Sequence, residues 1–263
     1  MSVEASAPSE TGRRSVSIPS WGWTLLSFAI VFGAWEVAGR VPISLAFPPF
    51  SAVAAALVRL IASGELLRAY GETIPPLVVG VLAAAVVGIA LGVSMGLMRV
   101  LEFAFYPPLV IMQTAPVAAI IPLITFIYGI GDLAKVVAVM ILAVPLTALN
   151  AFAGIRNADA RLIEMARAFQ GSTRQVVTKI IVPDASGMIF AGLRLGVSGG
   201  FIGIVLAELL ITPTGIGDTI SYYRSVAKYA EMYAAIVSII ALATVTLALI
   251  ETAERRLFGK TRR

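Results

Sequence analysis

Apolar runs close to the twenty residues that a helix needs to cross the hydrocarbon core of a bilayer recur six times along the chain. They occupy residues 23–38, 75–98, 107–128, 133–154, 186–210 and 231–251. Between the first two lies the turn Phe47-Pro48-Pro49-Phe50, then a stretch over 51–69 in which Val53, Leu57, Leu60 and Ile61 face one way. Arg59, Ser63, Gly64, Glu65 and Arg68 interrupt that stretch too often for it to span, so it is predicted to lie flat on the outer surface. The second span is predicted to start at Pro75 or Pro76, where a helix tolerates proline in its first turn. After the fifth span, Gly215 and Gly217 permit a sharp re-entry, and a half-polar helix over 219–228 is too short to cross; a plain outer loop is the alternative.

One polar stretch stands apart from this pattern, residues 159–183, DARLIEMARAFQGSTRQVVTKIIVP. Asp159 is a candidate N-cap. Leu162, Ile163, Ala166 and Phe169 then share one helical face while Arg161, Glu164 and Arg167 take the other. Gly171 suits the chain reversal, and Ser172 with Gln175 makes a capping box for a second helix that Pro183 ends. The result is a knob of two short helices, basic on its outside. A solvated amphipathic connector has the same pattern.

Composition agrees with membrane residence: of 263 residues 59% are hydrophobic and 13% charged, with a mean hydropathy of +0.92. Soluble domains carry charge on about a quarter of their residues. The chain has no cysteine and no histidine, which excludes disulfides, thiolate chemistry and the usual zinc sites. A net charge of +5 forms no single patch with interleaved aromatics, so lipid headgroups account for it better than nucleic acid. Arg99, Arg156, Arg161, Arg167, Arg174, Lys179 and the terminal basic residues fall on one set of connections, while Arg40, Arg59, Arg68, Lys135, Arg224 and Lys228 fall on the other. The positive-inside rule then puts both termini and the knob in the cytoplasm. A polar N-terminal tail over 1–20, a six-helix domain over 21–254 containing the 157–183 insert, and a basic tail over 255–263 are the expected divisions. Trp21 and Trp23 are placed for an interfacial belt, and the first apolar run reads as a retained anchor.

Glycines at spacing four, Gly88, Gly92 and Gly96 in the second span and Gly192, Gly196 and Gly200 in the fifth, make stripes that let another helix approach closely. Polar groups within spans are functional candidates by default. Glu208 at the outer end of the fifth span must face water, a partner or a cavity. Arg194 offers a cation to an anionic solute, or else snorkels or pairs with a neighbouring helix. Gln113, Thr114 and Asn150 line a pore or bond between helices. No nucleophile has a base partner, so no enzyme is expected on this chain. Gly259-Lys260-Thr261 lacks the earlier glycine of a phosphate-binding loop, Glu254 standing in its place.

The insert resembles the cytoplasmic motif of ABC importer permeases, E-A-A, three residues, G, nine residues, I-x-L-P, through Glu164, Ala166, Ile180 and Pro183. Met165 replaces the second motif alanine and Gln170 stands where the glycine is expected. With Gly171 one place later, the turn is expected to shift by a residue and rotate the docking face. Over residues 47–258, Phe47-Pro48-Pro49, Tyr128-Gly129-Ile130-Gly131, Gly192-Leu193-Arg194, Ala207-Glu208 and Gly215-Ile216-Gly217 resemble the nitrate, sulfonate and taurine permeases of that class. The resemblance implies an all-α membrane protein with six transmembrane helices in the type I importer fold, a cytoplasmic paired coupling helix and an outer amphipathic helix. It further implies a homodimer in the bacterial inner membrane, two separate ATPase subunits that bind ATP and Mg2+, and an extracytoplasmic solute-binding protein, with no cofactor on this chain. Glu164, Ala166, Arg167, Phe169, Gln170, Gly171 and Ser172 are then the ATPase-coupling residues, and the 212–218 segment belongs to an outer gate or to the binding protein's dock. The expected solute is a small anion. A secondary transporter would leave the docking motif unexplained, and a scaffold would leave unexplained the proline, glutamine and asparagine gathered in the third and fourth spans.

Overall fold

A computed structural model describes residues 20–41, 44, 46–211 and 213–258. The N-terminal tail, the Gly259-Lys260-Thr261 triplet, Thr212 and the side chain of Trp21 lie outside the described residues. All elements among the described residues are helical, and the chain divides into two units at Ser51.

In the first unit, α1 (Ser20–Arg40) is followed by the Phe-Pro-Pro-Phe turn, which folds back on the end of the helix. Trp35 Nε1 donates to the Pro48 carbonyl at 3.1 Å, and the Phe32 and Phe50 rings stand 4.6 Å apart. Glu36 accepts from the Ser51 amide and hydroxyl and from Arg40.

The second unit holds the core. Helix α2 (Phe50–Ala62) buries Val53, Ala56 and Leu60 at spacings of three and four, and leaves Ile61 exposed. It is shorter than the predicted amphipathic stretch because Gly64 takes a left-handed φ of 74° and stops it. The next helix, α3 (Glu65–Leu97), therefore begins ten residues before Pro75, and both prolines sit in its interior. Each proline leaves the carbonyl four residues earlier without an intrahelical donor.

Helix α6 (Asp132–Arg156) is central, held between α3 and α9 (Val182–Leu210) by the two glycine stripes. A Cβ on Gly80 would stand 2.6 Å from Val139, on Gly88 2.7 Å from Thr147 and on Gly96 2.5 Å from Ile155, so α3 runs parallel to α6 in contact along its length. On the opposite side, a Cβ on Gly192 would stand 2.7 Å from Asn150, and on Gly203 2.8 Å from the Ala138 carbonyl, so α9 runs antiparallel. The packing role expected of the stripes is what the structure shows.

The predicted third span is two helices, α4 (Arg99–Thr114) and α5 (Val117–Tyr128), bent by 108° at Ala115–Pro116. Among the described residues, five helices are long and apolar enough to cross a membrane, six if this bent pair is one span. The knob follows α6 as α7 (Ala160–Ala168) and α8 (Thr173–Val176). Pro183 does not end α8. A π-helical turn at Val177–Ile181 carries α8 straight into α9, with the Val182 amide reaching back five residues to Val177, so that Thr173–Leu210 is one 38-residue rod. Widening the turn by one residue accommodates a proline that lacks a donor. At the other end of the bundle, α10 (Ile216–Ser225) leads into α11 (Tyr229–Phe258).

Candidate functional site

The knob is built by local capping. Asp159 accepts from the Arg161 amide at 2.9 Å, and its own amide donates to the Asp184 carboxylate at 2.9 Å, which ties the start of α7 to the start of α9. The Arg161 amide, then the Arg161 side chain, hold the Asp159 carboxyl below its usual range. Ser172 and Gln175 form the expected capping box, with reciprocal distances of 2.8 and 3.4 Å.

Between the two helices the structure corrects the sequence reading. The left-handed residue is Gln170, at φ 58°, not Gly171. Gln170 donates to the Arg167 carbonyl and Gly171 to the Ala166 carbonyl, both at 2.9 Å, the paired bonds of a Schellman turn. The turn therefore stands where the motif glycine would put it, without displacement. Gly171 is needed for another reason: a Cβ there would stand 2.8 Å from the Ala166 carbonyl oxygen.

No residue of α7 is buried. Phe169, which helical spacing puts on one face with Leu162, Ile163 and Ala166, is 82% exposed, and Met165 and Leu162 are 50% and 39% exposed. Glu164 and Arg167 are exposed beside them, while Ala166 is half-buried. The knob thus presents apolar side chains among charged ones.

The five pathway candidates do not converge. Gln113 and Thr114 are exposed at the 108° bend, where the Thr114 hydroxyl bonds only to the carbonyls of its own helix, Val110 and Ile111. Asn150 donates to Leu146 one turn back on α6. Arg194 is one-third exposed and pairs with Glu254 of α11 at 2.7 Å, lining a groove of about 620 Å³ with Leu195, Ser198, Thr244, Leu247 and Glu251.

Glu208 is enclosed, with its side chain at 0% exposure, and its partner is Lys135, also at 0%. The ammonium stands 2.9 Å from Glu208 Oε1 and 3.2 Å from the Glu72 carbonyl. That carbonyl is the one that Pro76 leaves without a helical donor. Glu208 also accepts from the Thr73 hydroxyl, at 2.9 and 3.0 Å to its two oxygens, and from the Gly217 amide at 3.0 Å, while Thr73 accepts from the Ile216 amide at 2.9 Å. Lys135, read from sequence as an outer-loop cation, belongs to α6 and was missed. A single lysine in the fourth apolar span and a single carboxylate in the fifth were the available signal. Around this cluster, Arg59 pairs with Glu231 at 3.0 Å and Tyr223 donates to Glu65 at 2.6 Å. Burial, then the Glu65 carboxylate, push the Tyr223 hydroxyl well above its usual range.

Glycine-packed spans, a bent helix and a capped polar knob at one end of the bundle define a multi-spanning membrane permease. The chain belongs to the family of binding-protein-dependent transport system inner membrane components, whose model matches residues 84–259. It is thus the permease of an ABC importer, a transport component and not an enzyme. A Bacillus subtilis protein provisionally named as the aliphatic sulfonates transport permease SsuC is 28% identical over 252 residues, 94% of this chain and 91% of that one. The taurine transport system permease protein TauC of Escherichia coli is 30% identical over 135 residues, 51% of this chain and 49% of that one. Among solved structures, an inward facing conformation of the MetNI methionine ABC transporter matches in fold with a TM-score of 0.60 at 20% identity, covering 75% of this chain and 96% of that one.

Proposed function

We propose that this permease pairs with a second copy of itself, that two ATPase subunits dock on the knobs, and that a solute-binding protein delivers a small anion at the opposite end. The observation that carries the reading is the knob surface. Phe169, Met165 and Leu162 are exposed on a hairpin whose helices are each capped, and apolar side chains held out in this way are suited to a protein groove. The concentration of Arg99, Arg156, Arg161, Arg167 and Arg174 at that end supports a cytoplasmic knob, where ATP is present.

ATP-driven closure of the ATPase pair pulls the knob inward, and α9, continuous with it, tilts with the core from the inward- to the outward-facing arrangement. The names of SsuC and TauC support a sulfonate or taurine as solute. Arg194, at the edge of an open groove and paired there with Glu254, is the cation proposed to meet the anion by exchanging that partner, and Gln113, Thr114 and Asn150 are the neutral polar groups proposed to line the route.

Uptake of labelled taurine and of an alkylsulfonate into proteoliposomes, with and without the ATPase, tests the assignment. Uptake is expected only with ATPase and ATP, and lost in Glu164→Ala, Gly171→Leu and Ala166→Asp while the permease still folds. Transport that persists without the ATPase would instead identify an ion-coupled carrier.

A further inference from the structure

We propose that Glu208, Lys135 and Thr73 are positioning residues that fasten α10 to the core, so that the segment 213–225 moves as one body with α3, α6 and α9. Helix α10 starts at Ile216, and its first two amides, which no helix can satisfy from within, are those of Ile216 and Gly217. Both are taken from outside the helix: Thr73 of α3 accepts the first, and Glu208 of α9 accepts the second. The cap of α10 is thus made by two other helices.

Lys135 of α6 makes that cap possible. A lone carboxylate at full burial is strongly disfavoured, and the ammonium supplies its counter-charge while also satisfying the Glu72 carbonyl. The loop has to approach closely for this. A Cβ on Gly215, which has φ 91°, would overlap the Glu208 carboxylate, and one on Gly217 would stand 2.5 Å from Glu208 Cβ. Four elements, α3, α6, α9 and α10, therefore meet at one carboxylate. The consequence for transport rests on the function proposed above: tilting of α9 carries α10, and the surface at this end of the bundle, with it.

The permease alone in nanodiscs provides the test, by amide hydrogen exchange resolved at Ile216 and Gly217. Thr73→Val keeps the ion pair and removes the acceptor of Ile216; its amide is expected to exchange about tenfold faster or more, and Thr73→Ser to restore protection. In Lys135→Met/Glu208→Leu an apolar pair of similar volume replaces the charges, and Gly217 is expected to lose protection by a similar factor while amides of α6 keep theirs. Because the chain has no cysteine, spin labels at Arg68→Cys and Tyr222→Cys report directly on α10, and their distance distribution is expected to broaden in both variants. Unchanged exchange and an unchanged distribution overturn the proposal, as does protection lost equally through α3, α6 and α9, which would mark a general stabiliser. Should the double variant not fold, the contrast of Thr73→Val with Thr73→Ser decides alone. None of these readouts needs an ATPase, so their failure is distinct from failure of the transport assignment.

Discussion

Gln170 holds the hinge of the knob in a conformation that costs a non-glycine residue about 1 kcal/mol. Gln170→Gly is expected to recover that amount, seen as roughly fivefold slower exchange at the Gly171 amide, whose bond to Ala166 closes the turn. Asp159 gives the same hairpin an acid-sensitive end. Its carboxyl titrates lower when folded, so the stabilisation is fully present above the unfolded value near pH 4 and disappears as pH falls through the lowered folded one. The protection factor of the Arg161 amide should drop in that window, and Asp159→Asn, which keeps the capping oxygen, should remove the dependence. Both caps were legible in the sequence because each partner lies within three residues. Gln170 was not: the neighbouring glycine offered a plausible turn, and only the 2.8 Å approach to Ala166 shows what Gly171 is for. Lys135 was hidden for the opposite reason, since its partner is 73 residues away.

Among the elements, α3 makes the role of contact separable from that of propensity. Gly71 and Gly88 both lie in its interior, yet a Cβ at Gly71 meets nothing within 4 Å, whereas one at Gly88 stands 2.7 Å from Thr147. Gly71→Ala is expected to stabilise by about 0.5–1 kcal/mol through helix propensity, and Gly88→Ala to destabilise by about 1–3 kcal/mol through overpacking. Thermal unfolding of the two variants in the same detergent checks the difference in sign. Stripe spacing made this helix contact readable in advance. Helix boundaries were less so: Pro75, Pro76 and Pro183 lie within continuous helices here, Lys135 taking up the Glu72 carbonyl that Pro76 frees and a π turn absorbing the donor that Pro183 lacks. At Ala115–Pro116 the chain breaks outright: Gln113, Thr114 and Pro116 interrupt the apolar run over 107–128 at that point, but an interruption alone does not give the 108° of the bend.

On the scale of the whole molecule, five of the six expected spans, their order along the chain and the place of the knob between the fourth and fifth followed from the apolar pattern, since each depends on length and composition alone. Which faces remain open depends on packing, and Phe169 shows the difference: on its helical face Leu162 is exposed too, while Ile163 and Ala166 are half-buried. Phe169→Glu should leave folding unchanged and, under the docking proposed above, reduce co-purification of the ATPase by tenfold or more, a loss in keeping with removal of an aromatic anchor that the partner would cover.

The π turn that joins α8 to α9 puts Ser172 and Glu208 near opposite tips of one rod about 57 Å long. On such a baseline a swing of only about 5° at one tip displaces the other by roughly 5 Å, about one helical turn. Under the docking proposed above, a slight nudge at the knob would be magnified along this rod into a doorway-sized shift at its far tip.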